Sequence, residues 1–218
     1  TPPGEPLPPG RIYNSNRYVM RGYLQELGAD IIDLGIIRDD RDATRDALRR
    51  AAAAADVVIT SGGMSEGDED HVISAVKAEG RIDLWKIAAK PGKPLAFGVI
   101  EQKGRPVPFI GLPGNPVSLW VGMLTLVSPF LRRSQGMNLL EPQAQTLRAD
   151  FSYRVRGNRL EFVRVRRNIE GGLDIYPTQD SAVIASAVWA DGVAIVPAGS
   201  EVKPGDRLTF LPGPGCPS

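Results

Sequence analysis

Apolar runs alternate with segments of helical pattern along the first 133 residues of the chain. Apolar runs bounded by turn signals predict strands at residues 31–37, 56–60, 84–88, 94–100 and 106–110. The remaining pattern predicts a first helix that is capped by Asn14 or Asn16 and runs through Leu27, and further helices at residues 39–55, 68–79 and 115–133. Because strands alternate with helices, we expect an α/β fold with a mostly parallel sheet flanked by helices.

The pattern changes after Gly136, where short segments of alternating apolar and polar residues replace the longer runs. Glycine, aspartate and asparagine separate these segments, a spacing that predicts a small β-barrel or sandwich. The domain organisation that we expect is a linker at residues 1–9, an α/β domain at 10–137 and a small all-β barrel domain at 144–218.

The charge and composition of the chain exclude several classes of function. The chain has 26 Lys and Arg residues against 25 Asp and Glu residues, and a net charge of +1 argues against nucleic-acid binding driven by overall charge. Cys216 is the only cysteine and His71 the only histidine, which excludes an intrachain disulfide, a Cys-based zinc site and a His-rich metal site. Since no apolar run is long enough to cross a membrane and no signal-like start is present, we expect a cytoplasmic protein without a membrane partner.

The loop Ser61-Gly62-Gly63 lies between a predicted strand and a predicted helix. Glycines at such a point let backbone N–H groups approach a phosphate, and the start of the helix favours its negative charge. The same residues also fit a plain tight turn, because two adjacent glycines are a weak signal. The residues alone leave both interpretations open.

Four carboxylates, Glu66, Asp68, Glu69 and Asp70, follow this loop directly. In one interpretation they satisfy the dipole at the start of a helix. In the other, one or two of them bind Mg²⁺, which commonly combines one or two carboxylates with substrate phosphates. Asp39 also follows a predicted strand, and this second interpretation brings Asp39 and Asp70 together at the carboxyl edge of the sheet.

Three lysines, Lys86, Lys90 and Lys93, surround a Pro-Gly turn with apolar flanks. Lysines are most often solvated surface charges, but a turn that fixes the backbone direction lets them neutralise a phosphate or an oxyanion.

A second strand-to-helix loop, Pro113-Gly114-Asn115-Pro116, is stiffened by its two prolines. Asn followed by Pro already explains a well-formed helix start. The functional interpretation is a rigid second wall for a cleft that holds an anionic ligand.

Three motifs, SGGMSEGDEDHV, KIAAKPGKPLAFG and GLPGNPVS, occur in this order, and together they resemble the molybdopterin molybdenumtransferases, the MoeA and gephyrin E-domain family. The resemblance covers roughly residues 10–211. It implies a molybdopterin-binding, MogA-like fold and a reaction that inserts molybdate into adenylylated molybdopterin and releases AMP with the help of Mg²⁺. It also implies a cytosolic homodimer. Because members of the family carry two further domains before this region, this chain alone would bind the pterin but catalyse the reaction poorly.

The resemblance assigns roles by position. These are acidic active-site residues and Mg²⁺ ligands at Asp39 and Asp70; basic residues that bind molybdate or the pterin at Lys86 and Lys90; cleft walls at Pro113 and Pro116; and β-domain positions linked to function at Arg164 and Ser181. The expected substrate-binding set also includes Ser61, Gly62, Gly63, Lys93, Gly114 and Asn115. Glu66, Glu69 and His71 depart from the residues that are frequent in the family.

Two other functions fit the same residues. One is the adenylyltransferase step of the same pathway, because related enzymes share the pterin-binding fold. The other is a non-catalytic pterin-binding or scaffold module, since the gephyrin E domain clusters membrane receptors through a surface that involves its β-domain.

Overall fold

The first part of the chain alternates helices and strands, as the apolar pattern predicts. The structure is a computed structural model that describes residues 1–64, 71–85, 87–92, 95–138 and 143–216. In chain order the elements are α1 (Asn16–Glu26), α2 (Arg41–Ala54), β1 (Val58–Ser61), α3 (His71–Glu79), β2 (Gly80–Trp85), β3 (Ala89–Lys90), β4 (Ala96–Gln102), β5 (Arg105–Leu112), α4 (Pro116–Gly122) and α5 (Ser128–Ser134). A π-helical turn, Met123–Val127, joins α4 to α5.

The sheet of this region is mixed, with strand order β1-β5-β4-β2. β1 and β5 are parallel, whereas β5 with β4 and β4 with β2 are antiparallel. Lys103 and Gly104, at φ 49° and 81°, form the tight turn that reverses the chain between β4 and β5. The α/β fold is confirmed, but the expectation of a mostly parallel sheet is corrected, since this four-stranded sheet has one parallel pair and two antiparallel pairs among its described strands.

The strand predicted at residues 31–37 is wrong, because this described segment has no regular secondary structure and joins no sheet. The backbone turns at Gly35, whose φ is 77° and whose N–H donates to Asp33 Oδ1 at 2.9 Å. Among the described strands β1 pairs only with β5, and a cavity of ≈ 530 Å³ is lined by both β1 and this segment. A high β propensity does not make a strand where no neighbouring backbone completes its hydrogen bonds.

The long helix predicted at residues 115–133 is present as α4, the π turn and α5. Pro129 lacks the N–H that an α-helix would donate to Thr125, and the Ser128 N–H bonds to Met123 O five residues back.

The short strand predicted at 84–88 is displaced, since β2 ends at Trp85 and β3 begins at Ala89. No helix in the described part of the chain is both long and apolar enough to cross a membrane.

The second part of the chain is a small barrel, as predicted. Its elements are β6 (Gln145–Ala149), β7 (Tyr153–Arg154), β8 (Leu160–Arg167), β9 (Gly172–Ile175), α6 (Ala185–Trp189), β10 (Gly192–Val196), β11 (Glu201–Val202) and β12 (Arg207–Pro212). Neighbouring strands pair in the order β10-β12-β6-β9-β8, and β8 pairs with β10 to close the ring. The short strands β11 and β7 pair separately.

The two parts share a hydrophobic core. Leu119 and Trp120 of α4 belong to one buried cluster with Ala187 of α6 and Val193 of β10. In addition, β3 pairs in parallel with β8 of the barrel, with Lys90 opposite Glu161. The start of α4 and the segment at β3 are therefore held against the barrel by both packing and backbone hydrogen bonds.

This shared core generates a stability prediction. Replacement of the fully buried Leu119 by alanine should lower the free energy of unfolding by about 2–5 kcal/mol, because it removes apolar contacts and leaves a cavity. Denaturant unfolding measures the change. Val188→Ala, at a side chain that is 84% exposed on α6, is the control and should cost less than about 0.5 kcal/mol. Equal effects of the two substitutions would contradict the shared core.

A second prediction concerns pH. Hydrogen bonds from Arg148 and Asn168 depress the pKa of Asp150 to about 2, so its contribution to stability is complete above the ordinary Asp pKa of about 4 and is lost as pH falls toward 2. Between pH 4 and 2, the unfolding free energy of the wild-type chain should therefore fall more steeply than that of Asp150→Asn. Denaturant titrations at a series of pH values test this, with the pH 7 values as the baseline. Identical slopes for the two proteins would refute the assignment.

Candidate functional site

The loop Ser61-Gly62-Gly63 ends β1 in a conformation that only glycine adopts readily. Gly62 and Gly63 have φ values of 83° and 65°. A Cβ on Gly63 would lie 2.5 Å from the Val72 side chain, which excludes any larger residue without a local shift. The Gly62 N–H donates to the Leu112 carbonyl oxygen at 3.0 Å, so this N–H serves the backbone rather than an anion.

The two predicted strand-to-helix loops lie side by side. β1 and β5 run parallel with Ser61 opposite Leu112, so the loops that follow both strands begin at the same edge of the sheet. A Cβ on Gly114 would lie 3.7 Å from the Gly62 Cα, so the backbones of the two loops are close neighbours. The structure therefore brings together the residues predicted at 61–63 and 113–116.

Asn16, on α1, bridges these two loops. Its Nδ2 donates to the Gly114 carbonyl oxygen at 2.7 Å and lies 3.4 Å from Ser61 Oγ. Asn16 is buried, and its Oδ1 has no hydrogen-bond partner among the described residues. The sequence indicated Asn16 only as a possible helix cap, but Ser15 takes that position in the structure, and the Asn16 side chain turns to the loops instead.

Ser181 contacts the second loop from the barrel part of the chain. The Asn115 Nδ2 donates to Ser181 Oγ at 3.1 Å, and the Val117 N–H donates to the Ser181 carbonyl oxygen at 3.1 Å. The Asn115 side chain makes no capping bond to α4. The predicted site residues Asn115 and Ser181, which are 66 positions apart, therefore meet directly.

Arg164 lies behind Ser181 and is fully buried, at 1% exposed. Its guanidinium donates to the carbonyl oxygens of Thr178 and Asp180 and to Ser186 Oγ, over distances of 3.1–3.3 Å. Burial lowers the pKa of Arg164 to about 10, which leaves it charged at neutral pH. In this arrangement Arg164 holds the backbone that leads into Ser181.

Lys90 reaches the same region on β3. Its Nζ lies 3.1 Å from Glu161 Oε1 on β8, and about half of the Lys90 side chain is exposed. Two residues on, a Cβ on Gly92 would lie 3.7 Å from the Ser118 carbonyl oxygen, so this segment passes the start of α4. Lys86 and Lys93 lie outside the described residues.

Asp39 is exposed next to the start of α2, where its neighbour Asp40 caps the helix by accepting from the Ala43 N–H at 2.8 Å. Asp39 lines the same ≈ 530 Å³ cavity as Ser61, Gly62 and Gly63. Asp70 lies outside the described residues. In the part of the chain that is described, no group of three or more His, Cys, Asp or Glu side chains could hold a metal ion.

The chemistry of this donor set fits Mg²⁺ better than a softer metal. Asp39 supplies a carboxylate beside the cavity, and Ser61 supplies a hydroxyl oxygen. Mg²⁺ takes hard oxygen ligands and commonly completes its shell with waters and substrate phosphates, so one or two carboxylates are sufficient protein ligands.

Two protein families match the chain. The family described as "Probable molybdopterin binding domain" matches residues 4–133, and that described as "MoeA C-terminal region (domain IV)" matches residues 146–212. The first includes both loops and the second includes Arg164 and Ser181.

Individual proteins agree with these matches. The chain is 43% identical over 133 residues to the molybdopterin molybdenumtransferase of Haemophilus influenzae, which covers 61% of this chain and 32% of that protein. It is 31% identical over 210 residues to the molybdenum cofactor synthesis protein cinnamon of Drosophila melanogaster, covering 93% and 34% of the two chains.

A solved structure extends this agreement to the fold. The molybdopterin biosynthesis MoeA protein from Pyrococcus horikosii superposes with a TM-score of 0.80 at 30% identity, over 97% of this chain and 51% of that one. The chain thus spans about a third of the length of these curated relatives and about half of the solved one. With both of its parts matched, in the order in which they occur here, the chain belongs to the MoeA family of molybdopterin-binding proteins.

Proposed function

We propose that this chain forms the molybdopterin-binding part of a molybdopterin molybdenumtransferase, in which adenylylated molybdopterin and molybdate are the substrates and AMP is released. The single observation that carries this proposal is the meeting of the loops at 61–63 and 113–116, bridged by Asn16 and closed by Ser181. The names of the relatives as molybdopterin molybdenumtransferases support the same reaction.

The residues of the chain have separate tasks in this proposal. Ser61 Oγ and Asn115 provide hydrogen-bonding groups at the two loops, and Lys90 supplies a positive charge on the segment whose Gly92 passes the start of α4. Such preset donors stabilise anionic groups because they need little reorganisation when charge develops. Lys86 and Lys93 belong to the same proposal on the basis of the KIAAKPGKP motif.

Mg²⁺ fits the proposal as the resident cation. Asp39, together with Asp70 from the SEGDED segment, would hold it, and a bound Mg²⁺ supplies Lewis-acid polarisation of a phosphoanhydride. Asp39 lines the same cavity as the loop at 61–63, which would keep the substrate phosphates within reach of such a cation. Molybdate enters as a substrate and is not part of the resident site.

We also propose a cytoplasmic homodimer. The support is the family membership of the chain and its ordinary, nearly neutral composition, with a net charge of +1 that gives no general affinity for nucleic acid. Apolar side chains such as Ile32 and Ile36, which are 54% and 55% exposed, are compatible with a protein surface that covers them in the assembly.

Titration with molybdopterin tests the proposed function. We expect saturable binding to this chain, followed by fluorescence of the pterin, and no AMP-containing product when ATP and molybdopterin are supplied together. Formation of adenylylated molybdopterin from these two compounds would instead identify an adenylyltransferase. A complete absence of saturable pterin binding would remove the proposal and favour a scaffold function.

Asn16 provides a sharper prediction. Asn16→Ala removes the donor to the Gly114 carbonyl oxygen and with it the hydrogen bonds that link the two loops, so we expect about ten-fold weaker molybdopterin binding. The same titration measures this change. Asn158→Ala, at an exposed residue of the barrel part, is the matched control and should bind as the wild type does. If Asn16→Ala lowers the melting temperature but leaves pterin affinity unchanged, the loops are not the binding site.

A further inference from the structure

We infer that Glu161 is a positioning residue that orients Lys90 toward the ligand of the two-loop site. This inference rests on the proposed function, because it assigns a partner to one residue of that site. Neither the lysine-containing motif nor the composition of the barrel strands indicates Glu161, whose sequence neighbours are ordinary strand residues. What indicates a role for Glu161 is the pairing of β3 with β8, which joins the two parts of the chain and brings Glu161 to Lys90.

Glu161 is a carboxylate in an unusual place. It is only 7% exposed, although carboxylates are rarely buried unless they are paired. Its two oxygens have different partners, since Oε2 accepts a hydrogen bond from the Tyr153 hydroxyl and Oε1 lies 3.1 Å from Lys90 Nζ. The Tyr153 bond and the surrounding packing hold this carboxylate in one orientation.

Lys90 is the mobile partner of the pair. Its side chain is 52% exposed, and the Glu161 side chain is 9% exposed. A lysine carries four rotatable bonds, so an exposed one samples many rotamers and spreads its charge over a wide volume. Contact with a fixed, buried carboxylate restricts Lys90 to rotamers in which its ammonium lies beside β8. An ammonium has three donors, so the Glu161 bond leaves two for a ligand.

Backbone pairing sets the registry of the two residues. Lys90 on β3 is directly opposite Glu161 on β8 in a parallel ladder, with Ala89 opposite Leu160. The Arg159 guanidinium also donates to the Ala89 carbonyl oxygen at 3.4 Å. The chain then continues through Gly92, where a Cβ would lie 3.7 Å from the Ser118 carbonyl oxygen, so the segment that carries the restricted lysine passes the first turn of α4, which follows the loop at 113–116. The barrel thereby sets the position of a charge that belongs to the other part of the chain.

A simple ion pair between the two parts would produce the same contact, but it would act on stability alone. A positioning role also requires that Glu161 affects ligand binding only while Lys90 is present. The double-mutant cycle of Glu161→Gln and Lys90→Met separates these two roles, because it measures whether the two effects are independent. Glu161→Gln is suitable because its amide oxygen still accepts from Tyr153, while the carboxylate that faces Lys90 is lost.

The experiment is a fluorescence titration of molybdopterin into the wild-type chain, the two single variants and the double variant. We expect Lys90→Met to weaken binding about ten-fold and Glu161→Gln about three- to five-fold, the range that a partly exposed ion pair allows. In the Lys90→Met background, Glu161→Gln should have no further effect on affinity. Its effect on the melting temperature should also be smaller in this background, because the ion pair is already absent.

Two controls accompany the cycle. Glu101→Gln breaks an exposed contact, 3.5 Å from Arg81, near the far end of β4 and should leave affinity unchanged. Tyr153→Phe removes the second partner of Glu161 and should weaken binding less than Glu161→Gln does. Equal affinity of Glu161→Gln and the wild type, or additive effects in the double variant, would overturn the role of Glu161 alone. Failure of the wild-type chain to bind molybdopterin would overturn the proposed function and this role with it.

Discussion

The parallel pairing of β1 with β5 is the constraint on which the site depends. Parallel neighbours end at the same edge of a sheet, so the loops that follow them must begin side by side. Here Ser61 lies opposite Leu112, and the Gly62 N–H extends the ladder by one more bond to the Leu112 carbonyl oxygen. Neither Gly62 nor Gly114 places a side chain between the two loops, and a Cβ on Gly114 would lie 3.7 Å from the Gly62 Cα. Asn16 can bridge the two loops only because their backbones lie this close together.

The barrel supports this site from the opposite side by means of buried polar groups. Arg164 is surrounded by backbone carbonyl oxygens that lead into Ser181, and Glu161 on the same strand contacts Lys90. Buried charges are costly unless their partners are present, so each of these contacts admits few alternative arrangements. A ligand between the two loops would meet hydrogen-bonding groups that are held in place both by the α/β part of the chain and by the barrel.

Local signals explain which elements could be predicted. The helix that begins after Asn115 was predicted because a cap residue and a following proline act within a few residues. Strand prediction was less successful, because a strand exists only if another backbone pairs with it. The segment at 31–37 has strong β propensity but no pairing neighbour among the described residues, and the expected parallel sheet became a mixed one. The barrel was predicted as a class from its alternating pattern, without its strand order.

The residues of the candidate site likewise fall into two groups, those that the sequence predicts and those that only the structure identifies. Sequence alone identified the family, and it predicted the two glycine- and proline-containing loops, the KPGKP lysines and Asp39 as site residues, because these features lie within short contiguous motifs. Only the tertiary structure decided that Asn16 reaches Gly114 over 98 positions, that Lys90 meets Glu161 over 71, and that Arg164 is buried behind Ser181. The physical reason is that such contacts depend on which strands pair and on packing between distant segments, and a local or periodic pattern does not specify the partner of a strand.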